Sequence, residues 1–314
     1  MHKIFLIYNP TSGQRRRKRE DHVAQVNALF CSAGIVTEIC ATTHAGSAIE
    51  QTRQAVQAGF DTVIACGGDG TLNEALNGIM RSGKQATLGV VPLGSGNLLA
   101  SDLRLPSDPV AAARLLLRSQ AREIQPGVIT SSTPAGPDKR YFLVAAGVGS
   151  DAELMYRTAV EAKERWGRNA YFLEMARMTL RRDYPMFQVE WEDEAGKRTS
   201  TEVSLVMAIR AARFPGLLRF VKLGSSLSQP AYRVLLFRTD KVRHFLHYFG
   251  SVASGMNWRV PQVDAVKSKW FRCTALHEPG IHSQADGELL GRLPVEVGIE
   301  QTTVGLLMPG EGAK

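Results

Sequence analysis

The chain has 314 residues, 44% hydrophobic and 22% charged, ordinary globular usage with length enough for two domains. Basic side chains outnumber acidic ones 38 to 30, and the formal charge of +8 points to an anionic partner such as a nucleotide, a phospholipid surface or a nucleic acid. No run of about 18 apolar residues exists, which excludes a membrane-spanning helix. The N-terminal stretch is broken too soon, at Asn9-Pro10, to act as a signal peptide and reads as a first strand. Cys31, Cys40, Cys66 and Cys273 lack CxxC spacing, so reduced thiols in a cytoplasmic protein are expected rather than a disulfide scaffold or a zinc site.

In chain order, a strand over 3–8 is followed by the basic run Arg15-Arg16-Arg17-Lys18-Arg19 and a helix over 20–33. A strand over 36–41, a helix over 47–58, a strand over 61–66, a helix over 71–80, a strand over 87–91 and a helix over 108–118 come next. This alternation implies a parallel sheet with helices on both faces, in which ligands gather at the carboxyl ends of the strands. Three strand-end loops carry the small and polar residues such a site needs: Asn9-Pro10-Thr11-Ser12-Gly13, Gly67-Gly68-Asp69-Gly70-Thr71 and Pro92-Leu93-Gly94-Ser95-Gly96-Asn97.

The second of these loops is the focus of the chain. A buried, β-branched strand ends at Cys66, and apolar residues at 72, 75, 76, 79 and 80 begin a helix directly after the glycines. Glycines let a ligand approach the backbone, and a new helix favours phosphate at its positive end. Asp69, an acid in a phosphate-shaped loop, needs a cation, a proton to take or a structural partner.

After about residue 122 the texture changes. Strands are expected over 123–130, 141–148, 186–192, 203–209, 232–238, 270–275 and 293–297, with helical insertions over 152–182 and 241–255. Residues 192–197 read as a hairpin turn and 131–139 as a Pro/Gly/Ser loop. Runs of strands imply an antiparallel β-sandwich. The expected organisation is therefore an α/β phosphate-binding domain over 1–122, a β-rich domain over 123–300, and a last strand within 301–314 returning to the first domain.

Other motifs carry less. Gly78 to Gln85 nearly spells a phosphate-binding P-loop, but it follows a helix and Gln85 stands where a hydroxyl would hold magnesium. His244 and His247 share a helix face with Phe245, Tyr248 and Phe249 near them, which reads as packing before it reads as metal binding. There is neither zinc-finger spacing nor an aromatic RNA-binding motif, so no nucleic-acid partner is expected. Gln284-Ala285-Asp286-Gly287-Glu288 is a turn presenting two acids, by itself a common hairpin tip. Beside a phosphate-binding domain it offers the carboxylate that phosphoryl transfer needs to take the acceptor's proton.

Together these residues resemble the diacylglycerol kinase catalytic family, in particular its bacterial lipid kinases. The matching pieces are Tyr8 to Gly13, Gly67 to Glu74, Pro92 to Asn97, Ala146 to Ala152 and Asp286-Gly287-Glu288. The resemblance implies ATP and Mg²⁺ as cofactors, bound in a cleft between the two domains, with a lipid hydroxyl as acceptor, met at an anionic membrane surface by a peripheral cytoplasmic protein. By motif match Asn9, Pro10, Thr11, Ser12, Gly13, Thr42, Gly67, Gly68, Asp69, Gly70, Thr71, Leu72, Asn73 and Ser95 would hold the nucleotide. Asp69 would organise Mg²⁺, and Asp286, Glu288 or Asp69 would be the general base. A soluble acceptor, as in NAD kinases, a non-catalytic nucleotide- or lipid-binding role, and a homodimer stay open. Two departures from the family pattern stand out. Leu98 follows Asn97 where the family has an acid, and the stretch 223–235, where bacterial relatives hold a structural magnesium, contains no acid.

Overall fold

A computed structural model describes residues 1–10, 16–133, 136–149, 184–211, 226–254, 260–276 and 280–310. The chain divides into two compact units, Met1–Pro126 with Glu300–Lys314, and Gly127–Ile299. The helical insertion expected over 152–182 lies outside the described residues. Among the described residues no helix is long and apolar enough to cross a membrane.

The first unit is a six-stranded sheet in the order β2-β1-β3-β4-β18-β5. Its strands are β1 (Lys3–Tyr8), β2 (Val36–Ala41), β3 (Thr62–Gly67), β4 (Thr87–Pro92), β5 (Gln120–Ile124) and β18 (Val304–Met308). All neighbours pair in parallel except β5, which runs antiparallel to β18. Every residue of β3 is buried, the reason a short TVIACG run without alternation forms a central strand. The helices are α1 (Arg16–Ser32), α2 (Ser47–Gln57), α3 (Asp69–Ser82), α4 (Leu98–Asp102) and α5 (Pro109–Leu116). The step from β1 to β2 moves outward and the step from β2 to β3 returns past β1. Right-handed crossovers therefore put α1 and α2 on opposite faces. The strand order reverses between β1 and β3, and the loops following these two strands flank that switch point, where open α/β sheets bind ligands.

Several boundaries differ from those the sequence predicts. Helix α3 starts at Asp69 rather than 71, which brings the acid into its first turn. Helix α1 starts at Arg16 rather than 20, and α4 has no counterpart in the pattern because five residues carry no period. The strand expected over 123–130 is two: β5 in the first unit and β6 (Gly127–Thr133) in the second, parted at Gln125-Pro126. The last strand joins the first sheet between β4 and β5.

The second unit is a sandwich of two antiparallel sheets, β10-β9-β14-β17-β6-β7 and β13-β12-β11-β8-β15-β16. The first uses β6, β7 (Gly136–Phe142), β9 (Phe187–Glu192), β10 (Arg198–Val203), β14 (Trp270–Ala275) and β17 (Val295–Ile299). The second uses β8 (Ala145–Gly149), β11 (Leu205–Ile209), β12 (Tyr232–Phe237), β13 (Val263–Ser268), β15 (His282–Ala285) and β16 (Glu288–Arg292). Ile129, Phe142, Phe187 and Phe271 from one sheet meet Val148, Val206, Val234 and Leu236 from the other in one core. The segment 131–139, read as a loop, is a β6–β7 hairpin with Ser131 opposite Asp138. Pro137 is tolerated there because β7 is an edge strand. Helix α6 (Val242–Ser254) covers the outer face of the second sheet, with Phe245 stacked on Phe237 at 4.8 Å. His244 lies on this helix with Nδ1 2.8 Å from the Thr239 hydroxyl, and among the described residues no cluster of His, Cys, Asp or Glu forms a metal site.

Candidate active site

In the first unit the strand-end loops are stitched together by backbone contacts that only glycine permits. Leu93 N–H donates to the Gly67 carbonyl at 3.0 Å, and a Cβ on Gly94 would lie 2.4 Å from the Cα of Gly68. The Asn97 amide braces the third loop across Gly94, accepting from its N–H at 3.1 Å and donating to its carbonyl at 2.7 Å, with Asn97 itself at φ 52°. Asp69 reaches into this loop: its carboxylate accepts the Leu98 N–H at 2.7 Å. A Cβ on Gly96 would come within 2.6 Å of the other carboxylate oxygen. The acid is half-buried. Part of the question it posed in the sequence is answered here, since one oxygen fixes the start of α4. The N-cap of α3 is Gly68, which offers no side chain, and Asp69 stands in the first turn at the positive end of the helix.

Arg19 belongs to this arrangement although it stands in a run of basic residues. The residue is 7% exposed, and its guanidinium donates to the Asn9 carbonyl at 3.2 Å and the Leu93 carbonyl at 3.4 Å, tying the first loop to the third. Burial lowers its pKa from the usual guanidinium value. Arg19 shares a helix face with the buried Val23, Val26 and Phe30, and this spacing is the sequence signal that separates it from its neighbours. Replacing Arg19 by Met leaves two carbonyls without that donor. The expected result is about tenfold weaker binding of a phosphate-bearing ligand at these loops. Calorimetric titration checks this, and an unchanged affinity with only a lower Tm would refute it.

The other predicted residues fall into groups. Thr42 donates its N–H to the Tyr8 carbonyl at 2.8 Å, beside the first loop, and Ser95 is exposed at the tip of the third. Asn9 and Pro10 are half-buried, whereas Thr11, Ser12 and Gly13 lie outside the described residues. Thr71, Leu72 and Asn73 are buried at 7%, 2% and 4% exposure, and the Asn73 side chain accepts from Asn77 at 3.1 Å. Leu72 and Asn73 therefore turn their side chains into the packing of α3. Glu74, which sequence reasoning gave no task, reaches across to α2 and accepts the N–H groups of Gly46 at 2.9 Å and Ala48 at 3.0 Å. Cys66 is fully buried, and desolvation pushes its thiol up to about 12, which removes it as a nucleophile.

In the second unit Asp286 and Gly287 form the tip of the β15–β16 hairpin with φ of 48° and 88°, the positive pair that a tight two-residue turn requires. Asp286 is 6% exposed, and its carboxylate accepts the N–H groups of Leu143 at 2.9 Å, Val144 at 2.8 Å and Ala145 at 3.0 Å. Its own N–H donates to the Ala145 carbonyl at 2.8 Å. Asp286 thus pins the turn to the segment entering β8. Glu288, two residues on and first in β16, is half-buried.

Comparison with known proteins gives the family. Residues 3–129 match the family described as diacylglycerol kinase catalytic domain. The chain is 30% identical to the diacylglycerol kinase of Bacillus subtilis, over 100% of this chain and 99% of that one. It is 26% identical to the diacylglycerol kinase of Staphylococcus saprophyticus, over 92% of this chain and 90% of the other. A solved Bacillus anthracis structure, provisionally named a diacylglycerol kinase, superposes with a TM-score of 0.74 at 20% identity, covering 98% of this chain and 95% of its own. Yeast NADH kinase shares the fold alone, with a TM-score of 0.50 at 11% identity, over 99% of this chain and 84% of that one. With full-length identity at this level and the catalytic-domain match, the chain belongs to the diacylglycerol kinase family and is a phosphotransferase with an alcohol group as acceptor.

Proposed function

We propose that this protein is an ATP- and Mg²⁺-dependent lipid kinase that phosphorylates a hydroxyl of a diacylglycerol-like or sphingoid-like acceptor. The observation that carries the reading is the joined set of loops in the first unit, with one half-buried carboxylate, Asp69, set among glycines. The full-length likeness to relatives named diacylglycerol kinase supports the acceptor class. The first unit would bind nucleotide through Asn9 to Gly13, Thr42, Gly67 to Asn73 and Ser95, using backbone rather than side chain at Leu72 and Asn73. The second unit would bind the acceptor.

Asp69 fits a magnesium held through water. It is a half-buried carboxylate set among glycines in the first turn of α3, the hard oxygen donor that such an ion takes. When bound, the ion would neutralise charge on the transferring phosphoryl group. Of the three acids in the motifs, Glu288 is our choice for the base that takes the acceptor's hydroxyl proton on a carboxylate oxygen. Asp286 is 6% exposed with both oxygens on backbone N–H groups, so an acceptor hydroxyl does not reach it, whereas Glu288 is half-buried and Asp69 is assigned to the ion.

Incubation with labelled ATP and a total lipid extract tests the reading. Label should enter the chloroform phase, rise on anionic vesicles, and lose that increment as salt is raised, because an electrostatic membrane contact is screened. Asp69→Ala should reduce labelling about a hundredfold or more. Label confined to the aqueous phase would indicate a soluble acceptor. An Asp69→Ala variant as active as the wild type would reject the assignment altogether. The exposed Lys18 is one contributor to the membrane contact, whereas Arg19 is buried in the first unit.

A further inference from the structure

The bacterial lipid kinases that this sequence resembles hold a structural magnesium in the stretch equivalent to 223–235, and the residues here do not fit one. From Ser204 to Thr239 the chain has no Asp or Glu and six basic residues, Arg210, Arg213, Arg219, Lys222, Arg233 and Arg238. Magnesium requires near-octahedral oxygen ligation, usually with a carboxylate among the ligands. What occupies the described part of this stretch is Arg210, whose side chain is 0% exposed and is among the largest fully buried side chains. Its Nη2 donates to the Leu227 carbonyl at 2.9 Å and to the Gln229 carbonyl at 3.4 Å. Those carbonyls belong to the turn leading into β12, closed by the Gln229 N–H on the Ser226 carbonyl at 3.0 Å.

We infer that the Arg210 guanidinium is a built-in cation that holds the 226–230 turn, the task that a bound magnesium performs in related enzymes. A guanidinium suits the position because it is weakly hydrated, planar and able to fork between two oxygens, so its burial is easier to compensate than that of an ammonium. The same residue ties the turn to the Asp-Gly-Glu hairpin. The N–H groups of Arg210 and Ala211 both donate to the Val144 carbonyl, at 2.9 and 3.2 Å, and the Val144 N–H donates to the Asp286 carboxylate. Burial disfavours the charged form of Arg210, and the nearby Asp286 carboxylate favours it. A divalent ion at the Leu227 carbonyl would meet this positive charge at contact distance.

Backbone hydrogen exchange of the peptide spanning 226–231, measured without nucleotide, tests the inference independently of turnover. In the wild type, 10 mM Mg²⁺ and EDTA should give the same exchange rate, because only an ion that binds the native turn slows its opening. In R210M, exchange of this peptide should rise at least tenfold while the first unit's β3 stays protected, and R210K should fall between. Slower exchange with Mg²⁺ in the wild type would overturn the inference, as would an unchanged rate at 226–231 in R210M. If R210M does not accumulate as folded protein, the wild-type comparison and R210K decide.

Discussion

Glu288→Gln is expected to lower kcat by about 10²–10⁴ while leaving the protein folded. The residue is half-buried at the first position of β16 and the amide is isosteric, so the variant should still unfold cooperatively above assay temperature. The KM for ATP should stay within about twofold, because an interaction made only as the proton moves affects kcat and not ground-state binding. The split between kcat and KM separates this role from a structural one, and initial rates over a range of ATP concentrations at saturating acceptor make the check. A Glu288→Gln enzyme with wild-type kcat would reject Glu288 as the base.

How far the sequence reached follows from what each residue contributes to a pattern. The alternation of β-branched runs with 3.6-period segments over the first 118 residues was readable, because a parallel sheet buries its strands on both faces and leaves an unambiguous apolar signal. The β15–β16 hairpin was readable only at its Asp286-Gly287 tip. Its strand His282–Ala285 is fully buried yet polar, so hydrophobic periodicity does not register it. Strand β13 alternates weakly with both faces partly wet, and α4 is shorter than one and a half turns. The site loops were legible as motifs, but their roles were not. That Glu74 caps α2, that Asp69 fixes the start of α4, and that Arg19 and Arg210 point inward are facts of tertiary contact. Of these, Arg19 alone left a trace, by falling four residues before Val23 on the buried stripe of α1.

Asp286→Ala should fail in the opposite way to Glu288→Gln, through stability and not chemistry. The substitution removes the acceptor for three buried backbone N–H groups at once and takes a negative charge from the surroundings of the fully buried Arg210. Removing one partner from a buried charged network costs about 3–5 kcal/mol, because the groups left behind are desolvated without compensation. For a domain of this size that corresponds to roughly 10 °C in Tm. Asp286→Asn is only partly conservative. It keeps an oxygen for Val144 and Ala145 but turns an NH₂ group toward the Leu143 N–H, so donor faces donor. It should retain part of the lost stability and no more. Thermal unfolding of the two variants beside Glu288→Gln makes the comparison. At a temperature where Asp286→Asn is still folded, its kcat should exceed that of Glu288→Gln by at least tenfold. If Asp286→Ala unfolds within about 1 °C of the wild type and loses turnover instead, Asp286 is the reacting carboxylate and its three hydrogen bonds serve to orient it.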